Sequence, residues 1–206
     1  MQRSQEVLTY WFGTATAVRD GKIPEDRFSF WFDGDEETDK EIRNRFGDDL
    51  VRASKGLYDD WQHSPQGRLA LILLFDQFSR SIYRGTPEAF AYDERALTYA
   101  LDGIDGDHDC GVSPMARAFY YLPLEHTEEL GHQQRCVELF RELVDEAPQD
   151  QRPLFEDFVT YAEQHRDTIE RFGRFPHRNA ILGRQSTPEE QAYLDGGGAT
   201  YGQSVT

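Results

Sequence analysis

The chain has 206 residues, enough for one globular domain that buries a core without disulfides or a structural metal. Its formal net charge of -16 excludes generic binding to nucleic acid or to an anionic membrane, because both require a positive protein surface. The two cysteines lack paired spacing, which indicates a reducing compartment. No signal-peptide core or apolar run of membrane-spanning length is present. We therefore expect a cytoplasmic protein.

Helix start signals recur along the chain, and strand signals do not. A hydroxyl residue precedes a proline at sites such as Ser64 and Thr187, a pairing typical of the first helical turn. These signals predict a single all-α domain over residues 1–195, followed by a flexible Gly-rich tail over 196–206. The predicted helices span residues 4–11, 37–55, 65–82, 87–101, 114–121, 125–146, 151–171 and 188–194.

Two segments between the helices have unusual composition. Residues 28–32 are aromatic and strand-like but have no partner strand, so we expect an irregular plug against the helical core. Residues 102–112 resemble a calcium loop, but Ser113 replaces the glutamate that such a loop needs at its twelfth position. Calcium binding is therefore disfavoured.

Three predicted helices carry an ionisable residue on their apolar face. His165 lies in the middle of the stripe of helix 151–171, and His126 lies on that of helix 125–146. In helix 65–82, Asp76 and Arg80 are four residues apart and can pair. Because buried polar groups must be hydrogen-bonded, these residues are expected to meet in one polar pocket. The alternative is that each is paired separately with its neighbours.

A basic segment follows the His165 helix in this acidic chain. Four arginines lie within residues 171–184, together with His177. Guanidinium groups match carboxylate or phosphate oxygens two at a time, so the segment is a candidate anion site. Alternatively, these arginines pair with acidic residues of neighbouring helices and only hold the chain in place.

Three blocks, residues 71–86, 121–129 and 171–184, resemble the bacterial family known as domain of unknown function 924. The resemblance covers about residues 5–195. It implies an all-α, tetratricopeptide-like fold of stacked antiparallel helix pairs, and it implies no particular activity. The family's charged positions carry over to Asp76, Gln77, Arg80, Arg84, Asp93, Glu125, His126, Glu129, His165, Arg171, Arg174, His177, Arg178, Asn179 and Arg184.

The favoured function is binding of a small anionic metabolite in an internal pocket, with acid–base catalysis as its possible chemistry. Helices 65–82, 125–146 and 151–171 would form the floor and residues 172–184 the lid. The catalytic candidates are Asp76, Glu125, His126, Glu129 and His165. The ligand-binding candidates are Gln77, Arg80, Arg84, Arg171, Arg174, His177, Arg178, Asn179 and Arg184. No cofactor is predicted, and no motif names a reaction.

Two further functions remain open at the level of sequence. Stacked helix pairs form grooves, so the chain could be a protein-interaction scaffold that grips an acidic peptide. Alternatively, Asp76, His126, Glu129 and His165 could form a carboxylate–histidine metal site, although nearby arginines would repel a cation. An enclosed site favours the small-molecule hypothesis, whereas an open groove favours the scaffold.

Overall fold

The computed structural model describes residues 2–32, 34–149 and 151–202, and within these ranges the chain contains helices and no β-strand. This confirms the predicted all-α fold. The α-helices are α1 (Arg3–Phe12), α2 (Ala17–Asp20), α3 (Arg27–Phe32), α4 (Glu36–Ser54), α5 (Pro65–Ile72), α6 (Ser79–Ile82), α7 (Asp93–Asp105), α8 (Pro114–Glu125), α9 (Leu130–Glu146), α10 (Arg152–Phe172), α11 (Arg178–Ile181) and α12 (Pro188–Asp195). Among these described helices, none is both long and apolar enough to cross a membrane.

The hydroxyl–proline pairs at Ser64, Ser113 and Thr187 begin α-helices, as predicted, whereas the pair at Thr86 begins a 3-10 turn, Pro87–Phe90, and the next α-helix starts at Asp93. The side chain of Ser64 accepts a hydrogen bond from the backbone of Gly67, and Ser113 accepts one from Ala116. Thr187 forms a complete capping box with Glu190 at the start of α12. Local sequence therefore sets the starts of α5, α8 and α12.

The aromatic segment 28–32 is helical, so the prediction of an irregular plug was wrong. It forms most of α3, in which the Trp31 indole donates to the Trp11 carbonyl over 2.9 Å. The Trp31 ring also packs on Phe119, with the ring centroids 4.8 Å apart. Packing on aromatic side chains from distant parts of the chain stabilises this short helix, which local propensity disfavours.

The boundary between α8 and α9 also differs from the prediction. We predicted helices over 114–121 and 125–146, but α8 continues through Pro123 to Glu125 and α9 begins at Leu130. The side chain of Gln133 donates to the backbone carbonyls of Glu125 and Thr127, which stabilises the bend between the helices. Glu125 and His126 therefore lie at the end of α8 rather than at the start of α9.

Helix α8 lies at the centre of the molecule. All its residues from Met115 to Glu125 are buried, and it packs against α5, α7 and α9. Helix α9 in turn packs along α10. A helix that is enclosed on every side needs an apolar surface all round, and the polar Glu125 at its end is therefore an exception that calls for a specific partner.

Two helical glycines allow a test of this packing. A Cβ atom on Gly67 in α5 would lie 2.3 Å from the Trp61 carbonyl oxygen, whereas a Cβ on Gly47 in α4 meets no atom within 4 Å among the described residues. We expect Gly67→Ala to lower the free energy of unfolding by about 1–3 kcal/mol, because backbone must move. Gly47→Ala is the matched control and should raise it by about 0.5–1 kcal/mol. Urea unfolding measures both, and equal effects would contradict this packing.

Candidate functional site: a buried polar cluster

The helix formed by residues 65–82 is interrupted at its centre by a π-helical segment, Leu73–Phe78. A π-turn inserts one residue into the helix and rotates the side chains that follow, and such turns are frequent at functional sites. Asp76 lies in this segment and is completely buried. Its side chain accepts a hydrogen bond of 2.6 Å from Gln77. The π-segment thus places a carboxylate inside the protein.

Asp76 pairs with His126, the residue that caps the end of α8. The distance from Asp76 Oδ1 to His126 Nδ1 is 2.7 Å, and Arg80 Nη1 lies 3.2 Å from the same oxygen. Burial raises the pKa of Asp76, but Arg80 and His126 outweigh it and hold the pKa well below its usual range. The ionised carboxylate only accepts hydrogen bonds, so His126 Nδ1 must carry the proton and donate it.

This tautomer leaves His126 Nε2 with an accepting lone pair. Burial and the nearby Arg80 lower the pKa of His126, although Asp76 opposes them. The imidazole is therefore neutral at neutral pH. Among the described residues, the hydrogen bond of the His126 ring is the one between Nδ1 and Asp76. A neutral imidazole that is oriented by a carboxylate and has an unoccupied Nε2 is equipped to act as a general base.

A chain of alternating charges extends from Asp76 to the basic segment. Arg80 donates two hydrogen bonds to Asp93 at the start of α7, over 2.9 and 3.0 Å. On its other side, Asp93 is 3.4 Å from the Nη1 atom of Arg178 at the start of α11. Asp93 thus links α6 to the segment that follows α10. Asp93 was among the positions implied by the family resemblance, but no role was predicted for it.

Arg178 is a buried cation with few partners. Its guanidinium lies between two rings, 4.7 Å from the centroid of Phe90 and 4.5 Å from that of Phe175. Among the described residues, its Nε atom is buried with no hydrogen-bond partner. Burial and the neighbouring Arg80 lower the pKa of Arg178 to about 10, so it remains charged at neutral pH. A buried guanidinium with one long contact is a strong candidate to receive an anion.

Glu125, next to His126, is a buried carboxyl group in the opposite protonation state from Asp76. Burial and the nearby Asp76 raise its pKa to about 8. Its Oε1 atom lies 3.4 Å from His165 Nδ1, and its Oε2 atom is buried without a partner in the part of the chain that the structure describes. Glu125 therefore carries a proton at neutral pH. Paired acidic groups with such separated pKa values are typical of acid–base sites.

Two further histidines complete the cluster. His165 Nδ1 lies 2.8 Å from the Tyr161 carbonyl oxygen, and burial is the main cause that lowers its pKa to about 3. Burial together with Arg178 also lowers the pKa of His177 to about 3. The Nδ1 atom of His177 is buried with no hydrogen-bond partner within the described ranges. Both imidazoles are therefore neutral at neutral pH.

Tyr201, which was not among the predicted site residues, packs on two histidines of the cluster. Its ring stacks on His165 with a centroid distance of 3.7 Å and packs edge-on against His177 at 5.3 Å. Its hydroxyl group lies 3.2 Å from Thr168 Oγ1. No motif could have signalled this contact, because Tyr201 follows a glycine-rich stretch that has no periodic pattern.

Most of the other predicted arginines are paired with carboxylates outside the cluster. Arg174 binds both oxygens of Glu190, over 2.6 and 2.7 Å, and Arg184 binds both oxygens of Glu128, over 2.7 and 2.9 Å. The remaining pairs are Arg171 with Glu189 and Arg84 with Asp39. These pairs support the alternative in which the arginines hold the chain in place.

Two further candidates also have structural partners. Asn179 is buried and accepts a hydrogen bond of 2.9 Å from Arg184 Nε, which fixes the loop after α11. Glu129 is exposed, and its carboxylate lies 3.7 Å from His132 Nε2. Glu129 thus lies outside the cluster, and Asp76 rather than Glu129 orients His126.

The ligand set considered for a metal is not assembled in the described part of the chain. Glu129 points to solvent, and no group of three or more His, Cys, Asp or Glu side chains in these residues is arranged to hold a metal ion. Two surface clefts of about 690 and 560 Å³ lie away from the cluster, the first beside Tyr10 and the second beside Arg84. Within the cluster, Asp76, Glu125, His165 and Arg178 are each less than 10% exposed.

The structure is that of an all-α protein with a buried cluster of ionisable side chains. Residues 7–198 match the model of the family described as "Bacterial protein of unknown function (DUF924)", and the chain belongs to this family. It is also similar to a solved structure of a protein of unknown function, ATU0120, from Agrobacterium tumefaciens. The two are 37% identical, with a TM-score of 0.77 over 94% of this chain and 97% of that one. No curated protein matches the chain.

The raised pKa of Glu125 predicts a pH-dependent gain in stability on Glu125→Gln. The unfolded chain releases this proton near pH 4.5 and the folded chain near pH 8, so wild-type folding is progressively penalised between these values. The free energy of unfolding of the variant should therefore rise by a few kcal/mol relative to that of wild type between about pH 5 and pH 8, with no further rise above this range.

Urea unfolding at several pH values measures this difference. Glu129→Gln is the matched control, because Glu129 is an exposed carboxylate close in sequence. Its difference from wild type should change little with pH. If the free energies of unfolding of Glu125→Gln and wild type differ by a constant amount from pH 5 to 8, Glu125 is not protonated in the folded protein.

Proposed function

We propose that the polar cluster binds a small metabolite through a carboxylate or phosphate group, and that Glu125 and His126 carry out acid–base chemistry on it. The observation that supports this most directly is Arg178, whose buried charge faces Asp93 at 3.4 Å and has an unpartnered Nε. A cation that is removed from water and poorly paired costs several kcal/mol of folding free energy unless a ligand supplies the missing partner. An anion that receives hydrogen bonds from Arg178 would remove this cost.

The protonation states support proton transfer at the same place. Glu125 holds a proton at neutral pH and can donate it, whereas His126 Nε2 can accept one. The two residues are adjacent in sequence, and Asp76 fixes the orientation of His126. A general acid beside a general base permits reactions in which one proton is removed and another delivered. We infer that the substrate undergoes such a proton-transfer step.

The burial of the cluster favours a small ligand over a peptide. Asp76, Glu125 and Arg178 are all less than 10% exposed, whereas a scaffold groove presents accessible side chains. The tetratricopeptide-like stacking stays a prediction about the helical framework. A cytoplasmic location is likewise proposed, and the two free cysteines, Cys110 exposed and Cys136 buried, support it.

A thermal-shift screen against phosphorylated and carboxylated metabolites tests ligand binding. A ligand at 100 times its dissociation constant stabilises the folded state by about 2.7 kcal/mol, which is measurable as a rise in Tm. We expect hits among compounds with one or two negative charges. A screen in which uncharged analogues produce the same shifts as the charged compounds would contradict the proposal.

Arg178→Met tests the role of the buried cation. Without ligand, we expect an unchanged or higher free energy of unfolding, because an unfavourable buried charge is removed. The variant should lose the thermal shift that anionic hits give with wild type. Calorimetric titration with the same hit gives the loss of affinity directly.

Arg184→Met is the matched control. Arg184 binds both oxygens of Glu128, so its removal should lower the free energy of unfolding by about 1–3 kcal/mol and leave the ligand-induced shift in place. If Arg178→Met destabilises the protein as much as Arg184→Met and keeps the shift, Arg178 is a structural residue and the proposal is overturned.

A further inference from the structure

We propose that the space filled by the Tyr201 ring is a binding slot for a planar aromatic ring, and that the ligand of the cluster carries such a ring next to its anionic group. This inference rests on the proposed function and narrows its ligand class to aromatic carboxylates and phosphates. Tyr201 occupies the slot when the ligand is absent and leaves it when the ligand binds.

The slot has the geometry of an aromatic site. His165 provides a face, with the Tyr201 ring at 3.7 Å and an interplanar angle of 29°. Phe175 and His177 pack edge-on against the Tyr201 ring. The ring centroids are 5.9 Å apart for Phe175, with an interplanar angle of 74°, and 5.3 Å apart for His177, with an angle of 65°. One stacked face and two edge-on neighbours select a flat ring, because a puckered ring cannot form the same close stack.

The Tyr201 segment, residues 199–202, is suited to leave this position. Tyr201 has a φ of 48°, a left-handed backbone conformation that residues with a Cβ atom rarely adopt. Three glycines at 196–198 precede the segment and provide backbone freedom. The ring is also only partly buried. Withdrawal of Tyr201 would therefore uncover the slot without unpacking a helix.

Few polar contacts hold the Tyr201 segment in place. The Ala199 backbone N–H donates to the Tyr193 hydroxyl group over 3.1 Å, and Arg84 donates to the Gly202 carbonyl over 2.9 Å. The Tyr201 hydroxyl group contributes its contact with Thr168 and donates to the Gln164 carbonyl over 3.4 Å. Hydrogen bonds at a partly exposed surface can be replaced by water, so the stacked ring is the main contact that a ligand must displace.

The slot adjoins the proposed anion site. The Phe175 ring contacts both sites, since the Arg178 guanidinium lies 4.5 Å from its centroid and the Tyr201 ring packs on it edge-on. His177 contacts Tyr201 and directly precedes Arg178 in the chain. A molecule with an anionic group attached to its ring can therefore occupy both sites at once.

Binding of matched pairs of simple anions tests the slot. The planar probes are benzoate and phenyl phosphate, and the puckered controls of equal charge are cyclohexanecarboxylate and cyclohexyl phosphate. We expect wild-type protein to bind each planar probe about two- to tenfold more tightly than its control. Comparison of the carboxylate pair with the phosphate pair also identifies the preferred anion.

Tyr201→Ala removes the competing ring and should tighten binding of the planar probes by about two- to tenfold. Tyr161→Ala is the control, because the Tyr161 side chain is exposed and the substitution keeps the backbone carbonyl that contacts His165. NMR of the wild-type protein provides a second measurement that needs no variant. Saturating benzoate should move the Tyr201 ring resonances to the positions of a solvent-exposed tyrosine.

Any one of three results would overturn the ring slot. These are equal affinity for planar and puckered probes, unchanged binding of the planar probes by Tyr201→Ala, and Tyr201 resonances that do not respond to benzoate. The proposed function is judged separately by Arg178→Met. If that variant abolishes binding of all four probes while planar and puckered rings bind equally, anion binding stands and the slot fails. If no probe binds even to Tyr201→Ala, both proposals fail.

Discussion

The buried carboxylate of Asp76 is the constraint on which the site depends. An ionised group inside a protein is stable only if charged and hydrogen-bonding partners surround it. Arg80, His126 and Gln77 supply those partners, and in doing so they connect the π-helical segment to the end of α8. The same contacts fix the His126 tautomer. One charge thus sets both the local packing and the chemistry available to the neighbouring imidazole.

The arginines of the basic segment have two distinct physical roles. Arg174 and Arg184 each hold a carboxylate with two hydrogen bonds and fasten the chain after α10. Arg178 has one long contact and lies between aromatic rings. Together with the unpartnered Glu125 Oε2 and His177 Nδ1, this leaves several buried polar atoms of the cluster without partners in the described part of the chain. Proteins tolerate such groups where they serve ligands, and the well-packed helices around α8 provide the compensating stability.

The residue that packs over His165 comes from a segment that lies far along the sequence from α8 and the π-helical segment. The Tyr201 ring stacks on His165 and shields a cluster whose groups have strongly shifted pKa values. Shielding from water strengthens the electrostatic interactions within the cluster. The protein as a whole has a net charge of -16, so an anionic ligand would have to cross an acidic exterior to reach Arg178. Such a ligand would bind by local contacts rather than by long-range attraction.

The sequence by itself determined the all-α fold and the starts of α5, α8 and α12, because caps and helical periodicity act over a few residues. It also placed Asp76 and His165 on buried helix faces, but it assigned His126 to helix 125–146, whereas His126 lies at the end of α8. It could not determine that residues 28–32 are helical or that α8 continues through Pro123, since contacts with distant side chains override local preference there. Only the tertiary structure decided which arginines are paired, that Asp93 links Arg80 to Arg178, and that Tyr201 covers His165. Those partners come from distant parts of the chain, and packing alone brings them together.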